Sequence, residues 1–515
     1  MTDNAHSQPD TIPVLTKIIY GTGDWGMATF NTLRQIFYAI FLTDVVGLDP
    51  RLASFAAFFG VIWDAINDPL VGVWSDKVQT RWGRRRPFLL FFAVPYGLAF
   101  LLLWYAPPWE SQVLLMIFVS LAYMLSDTLQ TLVIVPYHAL TPEMTADYDE
   151  RTALSGYRMF FNLIASILTA VAAPMIIDQA MVAGASRQQG YLLAAAVFGA
   201  SSAIPYLLIF FSVREQAHDR RETELVTVRE TLRTAWRNVP FRFATAIYML
   251  NWVTFDLIGV VLPFLLVYWV AGGDLVATVP VLNMPLESVV LGLMLLTAVV
   301  VLPFWTWLAQ RLSKRIAYIT GMLIGILVLL TLVLVQPHQY VLTMIMAVLI
   351  GTSVSVAHVL PDAIFPDVID WDELRTGKRH EGIYYGFKNF IRKLTSAFAI
   401  FLALQVLGWL GYQSPPPDAT VFTQPPSALW GMRLLAGPVA AVILIAAVAV
   451  TWFYPLNRTR YARVQRLLAR RQSRQRLRQR PPTQPADVRR GDGTTLASPS
   501  AAGPVVGRAG GLSGR

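Results

Sequence analysis

Cysteine is absent from the 515 residues, so neither a disulfide nor a thiolate metal site can form. Charge is scarce: Asp, Glu, Lys and Arg supply 14% of the chain, against about 25% in an ordinary soluble domain. No G-x-x-x-x-G-K-[ST] loop occurs, which argues against ATP hydrolysis by this chain. No H-E-x-x-H pair or nucleophile elbow occurs either, and no enzyme activity is expected. The opening MTDNAHSQPDTI lacks a basic stretch followed by an apolar core, so the first membrane helix is expected to direct insertion in place of a cleaved signal.

What is abundant is apolar: 55% of residues, with a mean hydropathy of +0.49. A spanning helix needs about 20 mostly apolar residues. Such runs fall near 19–42, 52–75, 87–106, 112–137, 155–178, 190–212, 241–270, 286–309, 315–336, 340–364, 383–411 and 428–454. The expected fold is an all-α membrane protein of twelve transmembrane helices in two six-helix halves. Segment 1–18 precedes the first half (19–212), 213–240 forms a central polar loop, and the second half spans 241–454. The remainder, 455–515, opens on the basic stretch RTRYARVQRLLARRQSRQRLRQR and ends rich in Gly, Pro, Ser and Ala; it is expected to be a basic helix followed by disorder.

The net charge of +10 does not point to nucleic acid, because the excess lies in that tail and in short loops. Loops between even and odd spans carry Lys77, Arg81, Arg84, Arg85, Arg86, Arg311, Lys314 and Arg315 among others, whereas the opposite loops hold little beyond Arg51 and Arg187. This bias places both termini in the cytoplasm of a multi-pass cell-membrane protein, and the basic tail beside anionic lipid.

Ionisable groups at bilayer depth cost roughly 2.5–3.5 kcal/mol on insertion scales, so they mark function. WDAINDP in span two sets Asp64 and Asp68 one helical turn apart, with Asn67 beside them. Two such carboxylates repel unless a cation sits between them, and an all-oxygen cluster suits sodium or a proton. The plainer alternative is that Asp68 caps a helix end or pairs with a loop arginine. Thr131 in span four offers another oxygen, though its hydroxyl could equally bond the preceding turn. Span one contributes Asn31 and Arg34, span four Asp127, span five Arg158, and span eleven a stripe of Tyr384, Lys388 and Arg392 with Lys393 alongside. Several cations around one cavity favour an anionic substrate, balance the aspartates, or snorkel to an interface. His138 reads best as a packed interfacial histidine.

These segments resemble the glycoside–pentoside–hexuronide:cation symporters of the major facilitator superfamily. The likeness runs over about 20–455, carried by TDVVGL (43–48), WDAINDPLVG (63–72), RWGRRRP (81–87), VPYHALTPE (135–143), GYRMFFN (156–162), FPDVIDWDELRTGKRHEG (365–382) and KLTSAFA (393–399). The resemblance implies the major facilitator fold and cation ligands at Asp64, Asn67, Asp68 and Thr131. It also implies a substrate or gating role for Arg158, coupling by Lys393, and a gating loop at Asp76, Arg84 and Arg85. Positions where the melibiose-carrying member has sugar-binding acids are Ala28 and Ile134 here, and a stacking tryptophan becomes His138. The expectation is therefore a monomeric symporter of a sugar or glycoside, acidic ones included, coupled to sodium or a proton and needing no cofactor. The family's animal branch offers a sodium-dependent lysophospholipid carrier as the alternative, and a non-transporting receptor on the same fold is the third reading.

Overall fold

The computed structural model describes residues 12–145, 147–213, 215, 236–377, 381–416, 419–456 and 458–479. Most of the expected central loop and the last 36 residues lie outside the described residues. Fourteen helices are described. The first half holds α1 (Val14–Gly21), α2 (Gly23–Asp44), α3 (Pro50–Lys77), α4 (Arg86–Leu103), α5 (Gln112–Met144), α6 (Tyr148–Val182) and α7 (Arg187–Ser212). The second holds α8 (Val239–Val270), α9 (Leu286–Arg311), α10 (Lys314–Leu334), α11 (Tyr340–Thr376), α12 (Glu381–Trp409) and α13 (Pro426–Trp452). A further helix, α14, covers Arg458–Gln479. One short antiparallel pair, Thr278–Val279 with Met284–Pro285, sits between α8 and α9.

Local chemistry sets many of these boundaries. Asp49 accepts from the Arg51 amide and Pro50 follows it, which starts α3. Ser186 and Gln189 form a reciprocal capping box on α7. Asn238 caps α8 and Ser313 caps α10, while Gly377, at φ +77°, ends α11 in the left-handed region.

Eleven of the described helices are long and apolar enough to cross a membrane. The twelfth spanning position is α2, 22 residues long, whose apolarity is lowered by Asp24, Asn31, Arg34 and Gln35. The first span differs from the single run expected at 19–42: the helix breaks at Thr22. Its glycines are close-packing positions. A side chain at Gly21 would strike Tyr157 of α6, and one at Gly26 would strike Ser202 and Tyr206 of α7. The tenth span also outruns its expected end at 364, because α11 stays helical through Pro361 and Pro366 to Thr376.

The halves meet where α3 packs on α12, α2 on α8, and α6 on α9. At the end opposite the basic loops, Asp44 closes the bundle. Its fully buried carboxylate accepts from Tyr268 at 2.5 Å and from Tyr412, both in the second half, and faces Arg187 of α7 at 3.3 Å. Nearby, Gln405 of α12 donates to Ser54 of α3 at 2.9 Å, and Ser288 of α9 donates to the Val171 carbonyl of α6 at 2.7 Å. The chain up to Gln465 is one compact unit and the part from Arg466 a second, of which 466–479 is described, as arginine-rich helix.

Candidate functional site

Between the halves lies a cavity of about 440 Å³. One part of its wall is polar: Asn31, Arg34 and Gln35 from α2, Asp64 and Asp68 from α3, Gln130, Thr131 and His138 from α5, Asp256 from α8, and Arg392, Lys393 and Ser396 from α12. Apolar wall flanks this layer on both sides: Leu42, Ala57, Val61, Val260, Ile400 and Leu404 toward Asp44, and Met27, Ile134 and Val135 toward the basic-loop end.

Lys393 is the centre of the polar layer. Its ammonium donates to Asp64 Oδ1 at 2.7 Å, to Asp68 Oδ2 at 2.7 Å and to the Asp64 carbonyl at 3.0 Å. Thr131 donates to the other oxygen of Asp68 at 3.1 Å. Three of the four expected cation ligands thus meet around one point, and the lysine of the opposite half occupies it. Asn67 is buried next to them but does not line the cavity, and its amide nitrogen has no hydrogen-bond partner. The one-turn spacing of Asp64 and Asp68 achieves this: both carboxylates project from the same face of α3 toward α12.

The remaining cations are each matched to an acid. Arg34 reaches Asp127 at 3.1 Å and Asn31 at 3.5 Å, with its guanidinium against the Phe30 and Tyr123 rings. Arg392 grips Asp256 with two bonds, 2.5 and 3.0 Å, and its guanidinium lies 3.9 Å from the Trp252 ring centre. Gln35 of the first half donates to the same Asp256 at 2.9 Å, so this pair also ties the halves. Arg158 donates to Asp24 at 3.0 Å, with His138 3.8 Å from the same oxygen. Lys388 sits 2.5 Å from Asp362. Neither Arg158 nor Lys388 lines the cavity. Tyr384 departs furthest from the expected substrate-facing stripe: it is fully buried, its hydroxyl accepts from Asn238 at 3.0 Å, and its ring packs on Phe241.

Sequence reasoning passed over Asp44, Asp256 and Asp362. Each is an isolated acid within an apolar run, so depth was the available signal. The partners come from helices distant in sequence, which spacing along one helix cannot reveal.

The expected gating loop is a compact network. Arg85, nearly buried, bonds Asp76 and Ser75 of α3, while Arg84 reaches Glu143 of α5 at 2.8 Å. Glu215 accepts from the amides of Arg84, Arg85 and Arg86 at 2.6–2.8 Å, completing the start of α4. Arg85 is buried but Asp76 is 58% exposed, so removing the arginine costs less than the about 3–5 kcal/mol of a fully buried pair. Arg85→Gln is accordingly expected to lower both the melting temperature and the transport rate, read by thermal unfolding in detergent and by vesicle uptake. A variant unchanged in both assays would remove the network from the moving machinery.

A sequence model described as MFS/sugar transport protein matches residues 19–458. The chain belongs to that family. Among relatives, an uncharacterized symporter of Synechocystis sp. is 29% identical over 536 aligned positions, covering 89% of this chain and 97% of that protein. Sodium-dependent lysophosphatidylcholine symporter 1 of Gallus gallus is 25% identical, covering 87% and 88% respectively, and the Homo sapiens protein of that name is also 25% identical, covering 87% of both chains. Among solved structures, a bacterial homologue of the human lysosomal transporter Spinster superposes with a TM-score of 0.62 at 10% identity, over 85% of this chain and 95% of that one. The nucleoside transporter NupG gives 0.59 at 12% identity, over 85% and 99%. These neighbours carry the same fold. As a member of the family, the chain is a membrane transporter.

Proposed function

We propose that the protein is a cation-coupled symporter whose cargo carries no net charge, and that this cargo is a zwitterionic lysophospholipid. One observation carries the charge assignment. Four basic groups of the middle layer are each neutralised by a single carboxylate, whereas Lys393 is shared by two. With all groups ionised the Asp64–Asp68–Lys393 cluster keeps one negative charge. One monovalent cation cancels it and leaves nothing for a substrate anion to balance. The acidic hexuronide, attractive when the cations were counted without their partners, loses its support.

Two features favour the amphiphile over a sugar. The cavity is divided between a charged layer and an apolar part beyond it, matching a headgroup and a hydrocarbon chain. The lysophosphatidylcholine symporters are alignable with nearly the whole chain. A neutral glycoside is the second reading, favoured by the family's description.

The mechanism is alternating access. With the basic end cytoplasmic, the Asp44 closure makes this conformation inward-facing. In the outward-facing conformation, with the Asp44 closure released, a cation arriving from outside takes the place of the Lys393 ammonium between Asp64 and Asp68. Both halves lose that cross-link, and their rocking becomes tied to ion occupancy. Linkage then requires substrate to tighten cation binding by the factor the cation tightens substrate.

Purified protein in liposomes with an imposed sodium or proton gradient provides the test. Gradient-driven accumulation of labelled lysophosphatidylcholine, with no accumulation of a hexuronide, is expected. Accumulation of a neutral glycoside alone would move the assignment to the second reading, and accumulation of a hexuronide would overturn the charge argument.

A further inference from the structure

Lys388 has surroundings that an ion pair alone does not call for. Its ammonium lies 5.3 Å from the ring centre of Tyr248, 5.4 Å from Phe365 and 5.7 Å from Tyr385. The rings come from α8, α11 and α12, and Tyr248 and Phe365 are buried. Asp362 stands 2.5 Å from the ammonium and is itself 43% exposed, so the carboxylate marks the open side of the box.

We propose that this box is the subsite for the substrate's quaternary ammonium group, filled in the present conformation by Lys388 as a tethered occupant. The proposal rests on the zwitterionic reading of the cargo and names where one of its charges goes. Three aromatic faces with a carboxylate at the mouth suit a diffuse, weakly hydrated cation, the kind aromatic cages select. A lysine ammonium is compact and strongly hydrated, so it is the poorer tenant, and its flexible four-carbon stem lets it leave. The exchange balances. The substrate's trimethylammonium takes the rings and Asp362, and the displaced Lys388 ammonium is left beside the substrate's phosphate. One internal ion pair becomes two between protein and cargo, with no unpaired charge at any stage of the finished complex.

Binding of radiolabelled choline to the purified full chain, with no transport step, tests the box directly. Lys388→Met should bind choline at least about tenfold more tightly than the wild type, since the competitor is gone and desolvated cation–π contacts are worth this much. Adding Tyr248→Leu to Lys388→Met should abolish the gain. No gain in Lys388→Met, or a gain that survives in the double variant, would overturn the proposal. Tyr385→Leu, at the exposed rim of the box, keeps the test informative if the lysine variant misfolds. It should reduce uptake of lysophosphatidylcholine several-fold relative to lysophosphatidate, which lacks the ammonium; an unchanged ratio counts against the box. Choline binding to Lys388→Met in a protein whose wild type moves no lysophospholipid would sink the cargo assignment and leave the box standing.

Discussion

Asp64→Asn and Asp68→Asn are each expected to abolish ion-driven accumulation while the protein still folds and inserts. Asparagine keeps the shape and a hydrogen-bonding oxygen, so the packing of α3 on α12 survives. The charge is what disappears. In the native site one lysine faces two carboxylates, at 2.7 Å each, and a net negative charge remains to attract an incoming cation. In either asparagine variant the lysine faces one carboxylate, the cluster is neutral, and its attraction for sodium or a proton is lost. Accumulation against a gradient should fall to background in gradient-loaded liposomes, with counterflow exchange retained at a reduced rate. Uphill uptake at the wild-type level in either variant would sink the ion-site assignment. Lys393→Gln separates the two roles of the lysine. It leaves the two carboxylates facing each other without a cation, so cation affinity measured at equilibrium should rise while coupling is lost.

The apolar runs of the chain gave the helices because a bilayer leaves few alternatives: every backbone group must be satisfied within its own segment. The exceptions have local causes. The break at Thr22 lies among Gly21, Gly23 and Gly26, where α6 and α7 approach too closely for side chains. In the site, WDAINDP was legible because both carboxylates belong to one helical turn. Arg34 announced the need for a partner without saying which acid would meet it. Asp127 lies 93 residues away in sequence and Asp256, which meets Arg392, lies 136 away. These pairings reverse a substrate inference. Counted along the chain, the basic residues of α12 look like a surplus awaiting an anion. Placed in the fold, Lys388 and Arg392 are already paired with Asp362 and Asp256, and the layer's unmatched carboxylate belongs to Asp64 and Asp68, which share Lys393.

Asp44→Ala should open the bundle at the end that the charge bias assigns to the outside. The aspartate lies one turn beyond Ile40, just past the apolar part of the cavity, where it accepts from Tyr268 and Tyr412 and faces Arg187. Both tyrosines belong to the second half and Arg187 to the first, so the aspartate holds the halves shut. Hydrogen bonds to a charged group contribute about 1.5–3 kcal/mol each, and a net loss of one such bond shifts the balance between closed and open ends roughly ten- to a hundredfold. The cysteine-free chain makes the readout clean, since a single Leu42→Cys label reports on the cavity just beneath the closure. A membrane-impermeant maleimide applied from outside should react slowly with Leu42→Cys alone and about ten to a hundred times faster when Asp44→Ala is added. Tyr268→Phe should give a smaller increase, because the carboxylate keeps its other partners. Equal labelling rates with and without Asp44 would mean that the outer seal is made by the packing of α3 on α12 and of α6 on α9, with the buried carboxylate serving only to satisfy Arg187.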